Sequence, residues 1–231
     1  MDDIITGFLQ AVQLIFSLDP ALYEIISLSL RVSGTALAIS VAAGVPIGAA
    51  LGLSRVRARG FITALLYTGM GLPPVVAGLF IYLMLSRSGP LGVLGWLFTP
   101  SAMIVAQVII SFPLVTGLTM TAVQGVDPAL RIQVRSLGAT RWQETWAVLS
   151  QAQVGVTAAI VAAFGSIISE VGAVMLVGGN IEGKTRVLTT AIVLNTRTGA
   201  FDLAIALGII LLALAFVANV AMLQLQRHAA D

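Results

Sequence analysis

Two stretches of this 231-residue chain place chemically capable side chains inside or beside long apolar runs. The first holds Glu170, about two-thirds along an apolar run covering residues 154–177. A carboxylate near the centre of a membrane span costs roughly 2.5–3.5 kcal/mol on insertion scales, so it must find a partner or face a cavity. Arg31, at the outer end of the first apolar run, is the expected partner. Such a carboxylate serves either as a lock between helices or as part of a gate. The second stretch runs from Gly178, Gly179 and Asn180 to Thr185, Thr189 and Thr190, with Lys184 and Arg186 among them. Backbone N–H groups, hydroxyls and nearby cations are what an anion needs. The same residue types also make ordinary loops and caps, and Thr185 reads as an N-cap to a short helical pattern over residues 185–194.

Other chemistries are excluded by what is missing. There are no cysteines, which removes disulfides, cysteine-ligated metals and thiol nucleophiles. The one histidine, His228, lies near the end of the sequence, and no Ser/His/Asp set or metal-ligand cluster is apparent. No Gly-x-x-x-x-Gly-Lys-Ser/Thr phosphate loop occurs, so the chain cannot hydrolyse ATP by that route. The net charge is +2 and the arginines are scattered between apolar runs, which gives no stripe for nucleic acid.

The elements that must position these residues are membrane spans. Hydrophobic residues make up 58% of the chain and charged ones 10%, with a mean hydropathy of +1.02; soluble domains carry about 25% charged residues. The fold class expected is all-α and polytopic, a single transmembrane domain over residues 1–231 with about five transmembrane helices. Residues 4–18 are amphipathic but too short to span, so residues 1–31 are expected to be an external amphipathic segment with an interfacial helix. The acidic start, MDDIITGF, argues against a cleaved leader. Spans are expected over residues 32–53, 61–85, 102–123, 154–177 and 203–223. The second is broken at Gly71-Leu72-Pro73-Pro74, where two prolines remove two backbone donors. Seven basic residues fall on the side that carries the loop at 54–60 and five on the other. The first loop is the most basic, so the N-terminus is expected outside and the C-terminus in the cytoplasm.

Residues 127–151 differ from everything else: they are amphipathic and basic. Asp127 is a good N-cap and Pro128 a good first helical residue. Gly138 suits a helix end in the left-handed conformation, and Thr140 with Gln143 has the capping-box spacing. Two short helices hinged at a glycine are therefore expected, with apolar faces at Leu130, Val134 and Leu137, then at Trp142, Trp146 and Leu149. Topology places this hinge in the cytoplasm. A membrane-surface loop anchored by its tryptophans is the other reading of the same pattern.

The core of the hinge, Arg135-Ser136-Leu137-Gly138-Ala139-Thr140-Arg141-Trp142, resembles the coupling loop of ABC-importer permeases. That family's pattern is roughly Glu-Ala-Ala, three residues, Gly, then about nine residues to an apolar-Leu-Pro. Gly138 matches, flanked by Leu137 and Ala139; Ile132 stands at the acidic position and Ser150 at the proline. Ser169-Glu170-Val171-Gly172-Ala173, Gly179-Asn180, Thr185-Arg186 and Thr190-Ala191-Ile192, with Leu72-Pro73-Pro74-Val75-Val76-Ala77-Gly78, resemble permeases of oxyanion importers for molybdate, sulfate and especially tungstate. The resemblance covers roughly residues 20–225. It implies a type I ABC-importer permease fold, in which Arg135, Leu137, Gly138, Ala139 and Arg141 meet an ATPase subunit and Pro73, Pro74 and Glu170 belong to a gate or helix lock. Gly178, Gly179, Asn180, Thr185 and Thr189 would then line part of an anion path. A tetrahedral dianion suits their hydroxyls and N–H groups, whereas Glu170 would repel it. The implied partners are a second copy of the chain, two ABC ATPase subunits that use ATP and Mg, and an extracytoplasmic oxyanion-binding protein. The chain itself would hold no cofactor and catalyse nothing, and would sit in a bacterial inner membrane. An importer for another solute, such as an amino acid, is the rival within the class; a channel or carrier working without an ATPase, or a scaffold protein, is a rival outside it.

Overall fold

The computed structural model describes residues 20–54 and 59–230, together with Thr6, Leu9 and Gln13. Apart from those three residues, the interfacial helix expected over residues 4–18 lies outside the described residues, as do Arg55 and Arg57. What is described is helical, with no strand: α1 (Pro20–Leu53), α2 (Arg59–Met70), α3 (Pro74–Leu85), a 3-10 turn (Gly92–Leu94), α4 (Pro100–Gln124), α5 (Pro128–Ser136), α6 (Arg141–Gln151), α7 (Gln153–Ile168), α8 (Gly172–Gly178), α9 (Leu188–Arg197) and α10 (Phe201–Ala230). α1, α4 and the Phe201–Met222 part of α10 are each long and apolar enough to cross a membrane. Two bent pairs, α2 with α3 and α6 with α7, bring the number to as many as five by length and composition.

Three span boundaries differ from the expected ones. α1 starts at Pro20, not near residue 32, because Pro20 is a good first helical residue and Glu24 and Arg31 interrupt the hydropathy without interrupting the helix. The second span is turned through 97° where a kink was expected. Pro73 has φ −59° and ψ 124° and Pro74 opens α3, so neither can extend α2. The fourth span is interrupted at residues 169–171, with no proline to announce it. The Gln107 amide donates to the Ile167 carbonyl (2.9 Å) and the Thr189 hydroxyl to the Glu170 carbonyl (3.0 Å), so side chains remote in sequence satisfy acceptors at the break.

The chain divides into two compact units. One comprises the described residues up to Ala36, Pro73–Gln107 and Gly165–Val220. Its core gathers Leu22, Leu188, Ala191, Ala206, Leu207 and Ile210. The buried Ser29 hydroxyl accepts from the N–H of Leu188 (2.9 Å), capping α9 from α1. α3 crosses α8 very closely: a Cβ at Gly78 would lie 2.6 Å from the Ala173 Cα, and one at Gly172 would lie 2.6 Å from Val75. Small residues at such crossings let helix backbones approach where lipid offers no hydrophobic drive.

The other unit comprises Leu37–Leu72, Val108–Phe164 and the residues after Val220. Here α1 lies against α4 along a stripe spaced by four, Ser40, Gly44, Gly48 and Gly52. Ser40 shares a hydrogen bond with Ser111 (2.7 Å), and Cβ atoms at the glycines would stand 3.0 Å from Thr116, 2.5 Å from the Thr116 carbonyl and 2.7 Å from Val123. A second core, Ala49, Val123, Val148 and Ala152, joins this helix pair to the hinge that follows α4.

Candidate functional site

The hinge α5–Gly138–α6 is built from local signals. The Asp127 carboxylate accepts from the N–H of Ala129 (2.8 Å), and Pro128 opens α5. α5 ends with Gly138 at φ +83°; the N–H of Gly138 reaches the Arg135 carbonyl (2.9 Å) and that of Ala139 the Val134 carbonyl (3.1 Å). Those paired bonds are a Schellman ending, whose left-handed residue is easiest for glycine. Nothing lies within 4 Å of a Cβ at Gly138, so the backbone angle alone calls for glycine there. The Thr140 hydroxyl accepts from the N–H of Gln143 (3.4 Å) and the Gln143 side chain accepts from the N–H of Thr140 (2.8 Å), a reciprocal cap that starts α6.

The mutual orientation of the two helices is set by ions. The buried Glu144 carboxylate accepts from Arg131 Nε on one oxygen and from Arg135 Nε on the other, each at 2.7 Å. Arg131 also donates to the Leu53 carbonyl (3.3 Å), at the last residue of α1. The Arg135 hydrogen bond, helped by Arg131 and opposed by burial, holds the Glu144 carboxyl below its usual value. This pairing sets the roll of α6: Glu144 and Val148 face inward, while Trp142 and Trp146, on the expected apolar face, are 76% and 67% exposed. Leu137 is 86% exposed and Ile132 66%. Two open cavities result. One, of about 480 Å³, is lined by Leu53, Pro128, Arg131, Ile132 and Arg135; the other, of about 440 Å³, by Trp142, Gln143, Trp146 and Ala147. Arg141 and Arg135 are exposed, and Ala139 is half-buried beside the glycine.

Glu144 and Arg131 were not among the residues singled out from sequence. The available signal is the i, i+4 spacing of Arg131 and Arg135 on one face of α5, which asks for an acid opposite.

The remaining residues singled out lie in the other unit. Pro73 and Pro74 precede and open α3, whose first turn packs on α8 through Val75 and Gly172. Glu170 is half-buried beside that contact, and its carboxylate accepts from the N–H of Ala173 (2.9 Å), so it caps α8. No ion pair joins it to the exposed Arg31, in contrast to the expected pairing; the helix break offers a nearer donor. Gly178 packs on Met103, and Gly179 ends α8 at φ +74° against the Phe98 ring. Asn180 follows at φ +52°, with its Oδ1 buried and without a partner. Thr185 is fully buried and is not the N-cap expected: its hydroxyl donates to the Gly178 carbonyl (2.6 Å) and accepts from the N–H of Ile181 (2.9 Å), clasping the loop. Val187 takes the N-cap place, and its N–H is met by the Thr190 hydroxyl (3.1 Å). The structure thus brings Val75, next to Pro74, together with Glu170 and Thr189 to one helix break, and commits the hydroxyls of Thr185, Thr189 and Thr190 to backbone.

Comparison with known proteins agrees with this architecture. Residues 44–230 match the family described as the inner membrane component of binding-protein-dependent transport systems. A tungstate uptake system permease protein of Peptoclostridium acidaminophilum is 41% identical over 99% of this chain and 100% of its own length. A probable anion ABC transporter permease protein of Haloferax volcanii is 44% identical over 86% of this chain and 88% of its own. A molybdenum transport system permease protein of Escherichia coli is 29% identical over 84% and 89%. Among solved structures, inward-facing forms of a methionine ABC transporter share the fold, with a TM-score of 0.74 at 15% identity, covering 92% of this chain and 99% of theirs. The chain belongs to the family of inner-membrane components of binding-protein-dependent transport systems, as a membrane-embedded permease subunit of the ABC-importer class.

Proposed function

We propose that this permease carries a tetrahedral oxyanion, tungstate foremost, inward across a bacterial inner membrane, driven by a separate ATPase. The observation that carries the mechanism is the hinge, a pre-formed helix–glycine–helix wedge whose Leu137, Trp142 and Trp146 have no cover in the isolated chain. Large exposed aromatics beside charged residues mark a protein interface. The cargo assignment is supported by the 41% identity to a tungstate uptake permease over nearly the whole chain. The molybdenum relatives at 29% identity make molybdate the second candidate.

In this reading two copies of the chain place the pathway at their dyad, since helices broken at Pro73-Pro74 and at Glu170 scarcely enclose one alone. Two ATPase subunits take the hinges, and Arg135, Leu137, Gly138, Ala139 and Arg141 form or shape the contact. ATP and Mg are bound and used by those subunits, and closing them moves the hinges and opens the pathway outward. A binding protein on the outer side delivers the anion. The hinge and C-terminus face the cytoplasm and the N-terminus faces outward. The breaks at Pro73-Pro74 and Glu170, which adjoin through Val75 and Gly172, act as the gate. Of the anion-path residues, Gly178, Gly179 and Asn180 shape the wall, while Thr185 and Thr189 hold it in place, because their hydroxyls are already engaged.

The test is copurification of the ATPase and binding protein with this chain. Calorimetry of the binding protein with tungstate, molybdate and sulfate follows, then uptake into proteoliposomes containing the whole complex. Tight tungstate binding and ATP-dependent uptake are expected. Uptake by the purified chain alone would favour the channel or carrier reading. A binding protein loaded by an amino acid would refute the oxyanion.

A further inference from the structure

We infer that the cavity between α5 and the end of α1 is a socket for a carboxylate side chain of the partner ATPase; this rests on the reading that the hinge docks onto that subunit. The cavity is open, measures about 480 Å³ and is lined by Leu53, Pro128, Arg131, Ile132 and Arg135. Glu144 binds both arginines by Nε alone. A guanidinium has five N–H donors. Apart from the bond from Arg131 to the Leu53 carbonyl, the terminal donors of both residues are left for the cavity. Two cations against one buried carboxylate leave one positive charge beside it. Covering that charge with a protein surface requires a counter-charge, or its desolvation goes uncompensated.

Among the described residues, the lining includes no acid. The outward residue of α5 between the two arginines is Ile132, two-thirds exposed. Glu144 cannot turn to serve a partner, since it is buried and holds both arginines. A bidentate carboxylate fits the geometry, because planar guanidinium edges pair with planar carboxylates. The occupant is a protein side chain and not a lipid headgroup because the same hinge displays Leu137, Trp142 and Trp146, the apolar centre for which such a charge forms the rim.

Ile132→Glu tests this directly. The position is exposed, so folding of the variant should be unaffected, and the new carboxylate would occupy the socket from within the chain. Association of the full-length permease dimer, in nanodiscs of zwitterionic lipid, with its purified ATPase should weaken about tenfold and lose part of its salt dependence. Arg135→Gln should weaken it similarly, with Arg131 still holding Glu144. Among Asp→Lys and Glu→Lys variants of the ATPase surface, one should lose affinity for the wild-type permease and regain it with Arg135→Glu. Unchanged or tighter binding by Ile132→Glu overturns the socket while leaving hinge docking intact. Binding that Ile132→Glu weakens only when phosphatidylglycerol is present in the disc assigns the cavity to a lipid headgroup and also overturns it. A wild-type permease with no affinity for the ATPase in any salt overturns the docking reading itself.

Discussion

Removing the acid of the hinge should cost less than removing its two bases. Glu144 is buried and accepts two charge-assisted hydrogen bonds at 2.7 Å, while the side chains of Arg131 and Arg135 are 32% and 59% exposed. Hydrogen bonds to charged groups contribute about 1.5–3 kcal/mol each. In Glu144→Gln the amide still accepts one of them and both guanidiniums can turn to water, so the loss should be about 2 kcal/mol after screening of the exposed partner. In Arg131→Gln/Arg135→Gln the carboxylate stays buried without an ionic partner, and the cost should approach roughly 3–5 kcal/mol. The assay is amide hydrogen exchange over residues 128–149 in the purified dimer, with thermal unfolding alongside. At 2 kcal/mol, exchange there should speed up about thirtyfold if it proceeds by local opening of the hinge. The pH dependence has a fixed sign. The folded-state value of Glu144 lies below its unfolded value, so the contribution is complete above the unfolded carboxyl range and is lost as pH falls through the lowered one. Protection should therefore stay flat from pH 8 to about pH 5 and decline only in more acidic solution. Equal costs for the two variants, or a Glu144→Gln hinge as protected as the wild type, would refute the ionic lock.

Other expectations follow from single contacts. Gly48→Leu should abolish accumulation of folded protein, because even a Cβ there would lie 2.5 Å from the Thr116 carbonyl; Gly34→Leu on the same helix, with nothing within 4 Å, should accumulate normally on quantitative blotting. Gly138→Ala should lose about 1 kcal/mol at the left-handed position and leave coupling measurable. Gly138→Pro, which cannot adopt φ +83°, should separate ATP hydrolysis from uptake in proteoliposomes while the dimer persists on size exclusion. Thr185→Val should lower the melting temperature by removing the clasp on Gly178 and Ile181, with the half-saturating tungstate concentration for uptake unchanged if the hydroxyl serves the loop alone.

Local chemistry was readable in the sequence and remote pairing was not. Asp127-Pro128, Gly138 and Thr140 with Gln143 announce the ends of α5 and α6 because each makes its bonds within four residues of itself. Which face of α6 turns inward depends on Glu144 meeting arginines 9 and 13 positions away, so the hydrophobic pattern groups Trp142 and Trp146 on one face without saying that Glu144 holds the opposite one. The double proline announces the break between α2 and α3, but not its right angle. The break before α8 has no proline to announce it. Gln107 and Thr189, distant in sequence, complete it, and Glu170, expected to pair with Arg31, serves there as a cap. Hydropathy likewise put the start of α1 where lipid begins, whereas the helix begins at Pro20.

The contacts that tie the hinge to its neighbouring helices decide what its movement can do. Arg131 joins α5 to the carbonyl of Leu53, and Leu130 of α5 and Val148 and Leu149 of α6 pack into a core with Ala49, Val123 and Ala152. These contacts lead to the same pair of helices, the second half of α1 and the second half of α4. Within that pair Gly44, Gly48 and Gly52 leave almost no free space, and packed interfaces of this kind shift as units and do not flex. A pull on the hinge is therefore delivered to α1 and α4 together. Arg131 touches Glu144 and Leu53 at once, so removing its side chain breaks both the lock and the polar attachment to α1, whereas removing that of Arg135 breaks only the lock. Arg131→Gln should accordingly lower uptake per ATP hydrolysed more than Arg135→Gln does when compared at equal ATPase occupancy, and equal coupling ratios in the two variants would show that the bond to Leu53 transmits nothing.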